Sequence, residues 1–169
     1  MTNIKLPTIT SDIVKFAMKF QGYNEGNNNA NMFGAYFGLN NCSWCSLFVS
    51  YCLLNTGHKT LFELKNLNGY LAGCFKNGCS YVPSVQTYFK SKGLLRNHDP
   101  IQGDIALYCW DSSGIAEHIG IYIGYDASTN EIITIEGNTG NAANQGEGDC
   151  VAIKKRARHL CLGFISNHK

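Results

Sequence analysis

A cysteine at the expected start of a helix is the group in this sequence best placed for covalent chemistry. In Asn41-Cys42-Ser43-Trp44-Cys45-Ser46-Leu47-Phe48-Val49-Ser50-Tyr51-Cys52, the small polar residues Asn41 and Ser43 are expected to cap a helix, and apolar Leu47, Phe48, Tyr51 and Leu54 follow at helical spacing. Cys45 then falls in the first turn. Backbone N–H groups left unpaired there, and the positive end of the helix dipole, favour a thiolate and can receive an oxyanion forming beside the sulfur. The nucleophile needs a base from elsewhere in the chain. Glu117-His118-Ile119-Gly120-Ile121 supplies an imidazole, and Ile135-Glu136-Gly137-Asn138-Thr139 supplies a carboxylate and an amide two positions apart. An imidazole can take the thiol proton and return it to a leaving amine, while a third group on the other ring nitrogen fixes its tautomer. On a continuing strand Glu136 and Asn138 share a face, so either can be that third group.

These residues must be held by two kinds of element. Ile13, Phe16, Ala17 and Phe20 fall on one face of an expected helix over residues 11–20, and Pro83 opens another over 81–90 with Val85, Tyr88 and Phe89 inward and Gly93 as its stop. Asn55-Thr56-Gly57-His58 ends the Cys45 helix. From residue 105 the period changes. Short apolar runs at 105–110, 119–125, 131–136, 151–158 and 160–165, separated by turns, read as strands. Helices first and an antiparallel meander or half-barrel afterwards make an α+β domain, with the Cys45 helix packed on the sheet and its N-terminus facing the strand that starts at His118. Residues 59–80 carry little pattern, and Gly22 to Asn31 reads as a polar surface turn with no required metal.

Trp44-Cys45-Ser46-Leu47-Phe48-Val49-Ser50, Gly103-Asp104-Ile105-Ala106, His118-Ile119-Gly120-Ile121 and Ile135-Glu136-Gly137-Asn138-Thr139, in that order, resemble the motif set of the cysteine/histidine-dependent amidohydrolase/peptidase (CHAP) family. That family stands with the NlpC-type enzymes in the papain-like group. The resemblance covers roughly residues 11–166. It implies a papain-like domain that cuts a peptide or amide bond of bacterial peptidoglycan, as endopeptidase or N-acetylmuramoyl-L-alanine amidase, often as a phage lysin. It further implies Cys45 as nucleophile, His118 as base, Glu136 as the orienting group and Asn138 as its support, with no cofactor. Two other classes compete. Cys42-Ser43-Trp44-Cys45 is a Cys-x-x-Cys of the kind a thiol–disulfide oxidoreductase uses, although no βαβ pattern precedes it. An inactive relative that only binds wall fragments is the third.

Composition narrows the field. At 169 residues, 44% hydrophobic and 15% charged, the chain is expected to form one domain over 1–169, acting as a monomer. A net charge of +2 with no basic, aromatic-laced stripe argues against a nucleic-acid partner. No apolar run suits a membrane span, and Met1 to Pro7 does not resemble a signal peptide. The expectation is therefore synthesis in the cytoplasm, phage-type release or virion carriage to the wall, and targeting supplied by a partner protein. The eight cysteines are expected as free thiols, with Cys52, Cys109 and Cys161 in the core. Trp44 is expected against the sheet or beside a substrate cleft. His58, His98, His159 and His168 are assigned to surface or loops, and Lys154, Lys155, Arg156 and Arg158 to a solvated edge strand.

Overall fold

In the computed structural model, which describes residues 4–58, 64–140 and 148–166, the chain is α+β. Four helices are found among the described residues: α1 (Asp12–Met18), α2 (Met32–Tyr36), α3 (Cys45–Asn55) and α4 (Val82–Ser91). Two small hairpins follow α3, β1 (Lys65–Asn66) with β2 (Gly69–Tyr70) and β3 (Cys74–Phe75) with β4 (Gly78–Cys79). The main sheet comprises β5 (Leu95–Arg96), β6 (Ile105–Tyr108), β7 (His118–Asp126), β8 (Glu131–Thr139), β9 (Cys150–Ala157) and β10 (Cys161–Ile165). Its order is β5-β10-β6-β7-β8-β9, every pair antiparallel. Thus β6 to β9 form the expected meander, whereas β10 returns across it to pair with β6.

One face of the sheet makes the core. Leu107, Ile119, Ile121, Ile135 and Val151 are buried with Leu47, Phe48 and Val49 of α3. Eight of the eleven α3 residues are buried, so this helix is apolar nearly all round, as a helix enclosed on several sides must be. Its approach differs from the expected cap. The N-cap is Trp44, whose side chain makes no capping bond, and the Asn41 amide donates instead to the Asn28 carbonyl (2.8 Å).

Two further expectations are corrected. Cys74 and Cys79 form a disulfide across the β3–β4 register, while Cys42, Cys45, Cys52, Cys109, Cys150 and Cys161 carry thiols. Lys154, Lys155 and Arg156 do lie on the edge strand β9, with Arg158 in the turn after it, but Lys154 and Arg156 are 3% and 0% exposed. Alternation explains this: Val151 and Ile153 face the helix-side core, so Lys154 and Arg156 point to the opposite face, which is itself covered. His98 and His159 are exposed, His58 is half-buried, and His168 lies outside the described residues.

Candidate active site

Cys45 is the first residue of α3, His118 the first of β7, and Glu136 lies within β8. Tyr108 of β6 stands opposite His118 in the register, while Glu136 pairs with Ala152 on β9. These placements bring three of the four expected site residues together. His118 Nε2 hydrogen-bonds Glu136 Oε2 at 2.9 Å, and Cys45 stands close enough to the same imidazole to act on its charge. With Nε2 committed to Glu136, Nδ1 is the nitrogen left for the sulfur. Cys45, His118 and Glu136 are 3%, 2% and 0% exposed.

Asn138 is buried nearby without joining this line. A bulge separates Glu136 from Thr139 in the β8–β9 pairing, and Asn138 takes a left-handed φ of 52° within it. The even alternation that would set Asn138 on the face of Glu136 therefore does not hold.

Glu136 is fixed by more than the histidine. Arg156 Nη2 donates to Oε2 at 2.6 Å and Nε to Oε1 at 3.1 Å, a two-point guanidinium–carboxylate contact. Thr134 Oγ1 donates to Oε1 at 2.6 Å, and the Tyr108 hydroxyl lies 3.2 Å from that same Thr134 oxygen. Arg156 also donates to Thr139 Oγ1 (3.0 Å), and its guanidinium lies 4.8 Å from the centre of the Trp110 ring. Trp110 stacks on Tyr108 at 5.6 Å and stands 5.7 Å from the His118 ring. Arg156, Thr134, Tyr108 and Trp110 were not expected at the site. The strand alternation just described was the available signal for Arg156.

Gly120 makes room for this carboxylate. A Cβ there would lie 2.8 Å from Glu136 Cγ and 3.1 Å from Thr134 Cβ. One strand residue without a side chain lets the glutamate lie across β7 to reach His118.

The electrostatics follow from burial and pairing. Burial by itself pulls the His118 pKa down, but the Glu136 carboxylate, which also accepts a hydrogen bond from the ring, and Cys45 beside it outweigh that and carry it from 6.5 to about 9. Burial likewise pushes Glu136 up, and the imidazolium together with Arg156 overcomes that, bringing it from 4.5 to about 2. The pair is thus an ion pair at neutral pH, with an imidazolium beside the sulfur.

At the end of α3 the first intrahelical bond runs from Phe48 N to Trp44 O (2.8 Å). The amides before it have no partner within the helix and can serve an oxyanion formed at Cys45. Trp44, 0% exposed, is a core residue stacked on Phe33. Two surface clefts, of about 370 and 600 Å³, lie elsewhere and share the Asn97–His98 corner. Among the described residues, Cys109, Asp111 and Glu117 place ligand atoms within 4.8 Å of one another. Cys109 Sγ donates to Asp111 (3.4 Å) and Glu117 accepts from the Trp110 amide (2.7 Å), so the group is accounted for as a loop brace.

Compared with protein-family models and with curated proteins, the chain matches none.

Proposed function

We propose that this protein is a cysteine-dependent hydrolase that cleaves a peptide or amide bond of bacterial peptidoglycan, of the phage-lysin type. The observation that carries the proposal is the buried line Cys45, His118, Glu136, with Nε2 of the imidazole held by the carboxylate. The resemblance of four ordered motifs to the CHAP family points the chemistry to the wall. A helix whose N-terminus meets an antiparallel sheet at the first residue of β7 supports the papain-like reading.

The reaction follows from the geometry. The reactive form is the Cys45 thiolate beside the His118 imidazolium, the thiol proton already resting on the ring, and the sulfur attacks the amide carbonyl. The α3 amides stabilise the oxyanion, and the imidazolium protonates the departing amine as the C–N bond breaks. The ring, neutral after that transfer, takes a proton from water as the water attacks the thioester, and the C–S bond breaks to release the acid and restore the thiolate–imidazolium pair. Glu136 stays ionised throughout and holds the ring in place. Among the described residues no helix is long and apolar enough to cross a membrane. Wall targeting by a partner protein belongs to the same proposal.

Dithiol exchange through Cys42 and Cys45 would leave the His118–Glu136–Arg156 network without a task, and a wall-binding module would leave the thiol–imidazole contact without one. Turbidity loss of purified peptidoglycan separates the three. The hydrolase loses clearing in Cys45→Ala and keeps it in Cys42→Ala. Clearing that survives Cys45→Ala would contradict the proposal.

A further inference from the structure

The Asn-rich segment from Gly22 to Asn31 touches both halves of the catalytic centre. On one side it is bound to the start of β9, the strand whose Arg156 holds Glu136. Gly22 N donates to Val151 O (2.9 Å), Val151 N to Tyr23 O (2.9 Å) and Glu25 N to Asp149 O (2.7 Å). On the other side it holds the residues that lead into α3. Asn31 N donates to Asn40 Oδ1 (2.9 Å), Asn41 Nδ2 to Asn28 O (2.8 Å), and Trp44 Nε1 to Glu25 Oε2. With its nitrogen facing Glu25, the Asn29 amide donates to Oε1 (3.1 Å) and Oε2 (3.3 Å). The run of asparagines suits this path, because Asn28 and Asn29 take left-handed φ of 60° and 56°, which Asn tolerates better than most residues.

Trp44 carries the restraint to the nucleophile. It is fully buried, stacked on Phe33 at 5.3 Å and edge-on to Tyr23 at 6.0 Å. A Cβ on Gly137 would lie 2.7 Å from its Cζ3. The indole of the residue before Cys45 therefore packs against the residue after Glu136.

We infer that Glu25 is a positioning residue: through the Trp44 N–H it fixes the N-terminus of α3 against β8, and so sets the Cys45 sulfur within reach of His118. The inference rests on the nucleophile role proposed above for Cys45. A carboxylate accepting from a ring N–H makes a charge-assisted bond, and deleting it leaves a donor of a fully buried side chain unsatisfied. The ring then has reason to shift, and Cys45, its neighbour, shifts with it.

The test is the rate of Cys45 alkylation by iodoacetamide in the folded full chain, resolved from the other free cysteines by peptide mass mapping across a range of pH. Wild type and His118→Ala are compared first. Equal rates would mean that Cys45 is not activated, which removes the nucleophile reading whatever Glu25 does. With activation established, Glu25→Ala is expected to slow Cys45 by about tenfold or more and to lose the His118-dependent inflection of the pH profile. Trp44→Phe, which keeps the ring and drops the N–H, is expected to move the same way. Glu25→Gln, which keeps an acceptor oxygen, is expected to recover the profile and most of the rate. A wild-type rate and profile in Glu25→Ala, at any thermal stability, would overturn the inference. If Glu25→Ala does not fold, a wild-type profile in Trp44→Phe would overturn it, as would a Glu25→Gln variant as impaired as Trp44→Phe.

Discussion

At the residue scale, the proposed chemistry depends on a histidine kept charged by a carboxylate that is itself kept charged by that histidine and an arginine. The sign of the pH dependence follows. His118 has its pKa raised from 6.5 to about 9, so its contribution to stability is fully present below pH 6.5 and lost as pH rises through about 9. Glu136 is lowered from 4.5 to about 2, so its contribution is present above pH 4.5 and lost as pH falls toward 2. The urea midpoint is expected to be higher at pH 5.5 than at 9.5, with the difference reduced in His118→Ala; a midpoint that rises across that interval would contradict the assignment. Activity has the same alkaline limb, since a neutral His118 has no proton for the leaving amine. In Glu136→Gln the limb is expected to move to lower pH, because the strongest upward influence on the imidazole is gone. Arg156→Met removes the two-point partner of a buried carboxylate and is expected to cost about 3–5 kcal/mol in urea unfolding. Cys45, His118 and Glu136 were legible because each sits in a short motif with its own local logic. Arg156 was obscured because a Lys-Lys-Arg run reads as solvent-facing until the alternation begun by Val151 and Ile153 is followed through it.

At the element scale, the site exists because an N-terminus, a strand start and a strand interior meet. Helix α3 is pinned at its far half as well. Ser50 Oγ donates to Cys79 O (3.3 Å) and accepts from Cys79 N (3.1 Å), tying the helix to the β3–β4 hairpin. The close crossing of Glu136 over Gly120 gives a direct test of this geometry. Gly120→Ala would press a methyl group into Glu136 Cγ, displacing the carboxylate from His118. A loss of roughly 100-fold in wall clearing is expected with far-UV circular dichroism unchanged, because about 1 Å of misplacement costs that much. Clearing at the wild-type rate would show that the crossing is not needed. The strands from 105 onward were readable as short apolar runs between turns, and α1 and α4 from their helical spacing. Strand β5 and the two hairpins were not: each strand is two residues long, too short to show a period, and forms only because a partner strand is there. The Asn41/Ser43 cap failed for a related reason, since Asn41 bonds to Asn28 across a loop no local pattern reveals.

At the scale of the whole molecule, one helix-side core and one polar layer share a single sheet. The polar layer is buried too, which is why a net charge of +2 says so little about what the chain binds. The Cys74–Cys79 disulfide closes a loop with a sequence separation of 5, far in sequence from the nucleophile. The double variant Cys74→Ser, Cys79→Ser is expected to lose about 2 kcal/mol. That corresponds to a fall of roughly 4–8 °C in melting temperature, with the alkylation rate of Cys45 retained. Loss of Cys45 reactivity without loss of stability would mean that the hairpin tunes the site rather than bracing it. The pairing was not visible in the sequence, because two cysteines five apart are equally compatible with free thiols until the β3–β4 register sets them opposite each other.

The central claim is tested most directly by mass analysis of the fragments released from purified peptidoglycan by the wild type and by Cys45→Ala. The account predicts wild-type fragments that have gained one water at a single type of amide bond, each cut leaving a new amine and a new carboxylate, and none from Cys45→Ala. The same water-gaining cut made by Cys45→Ala, or fragments cleaved only at glycosidic bonds, would contradict it.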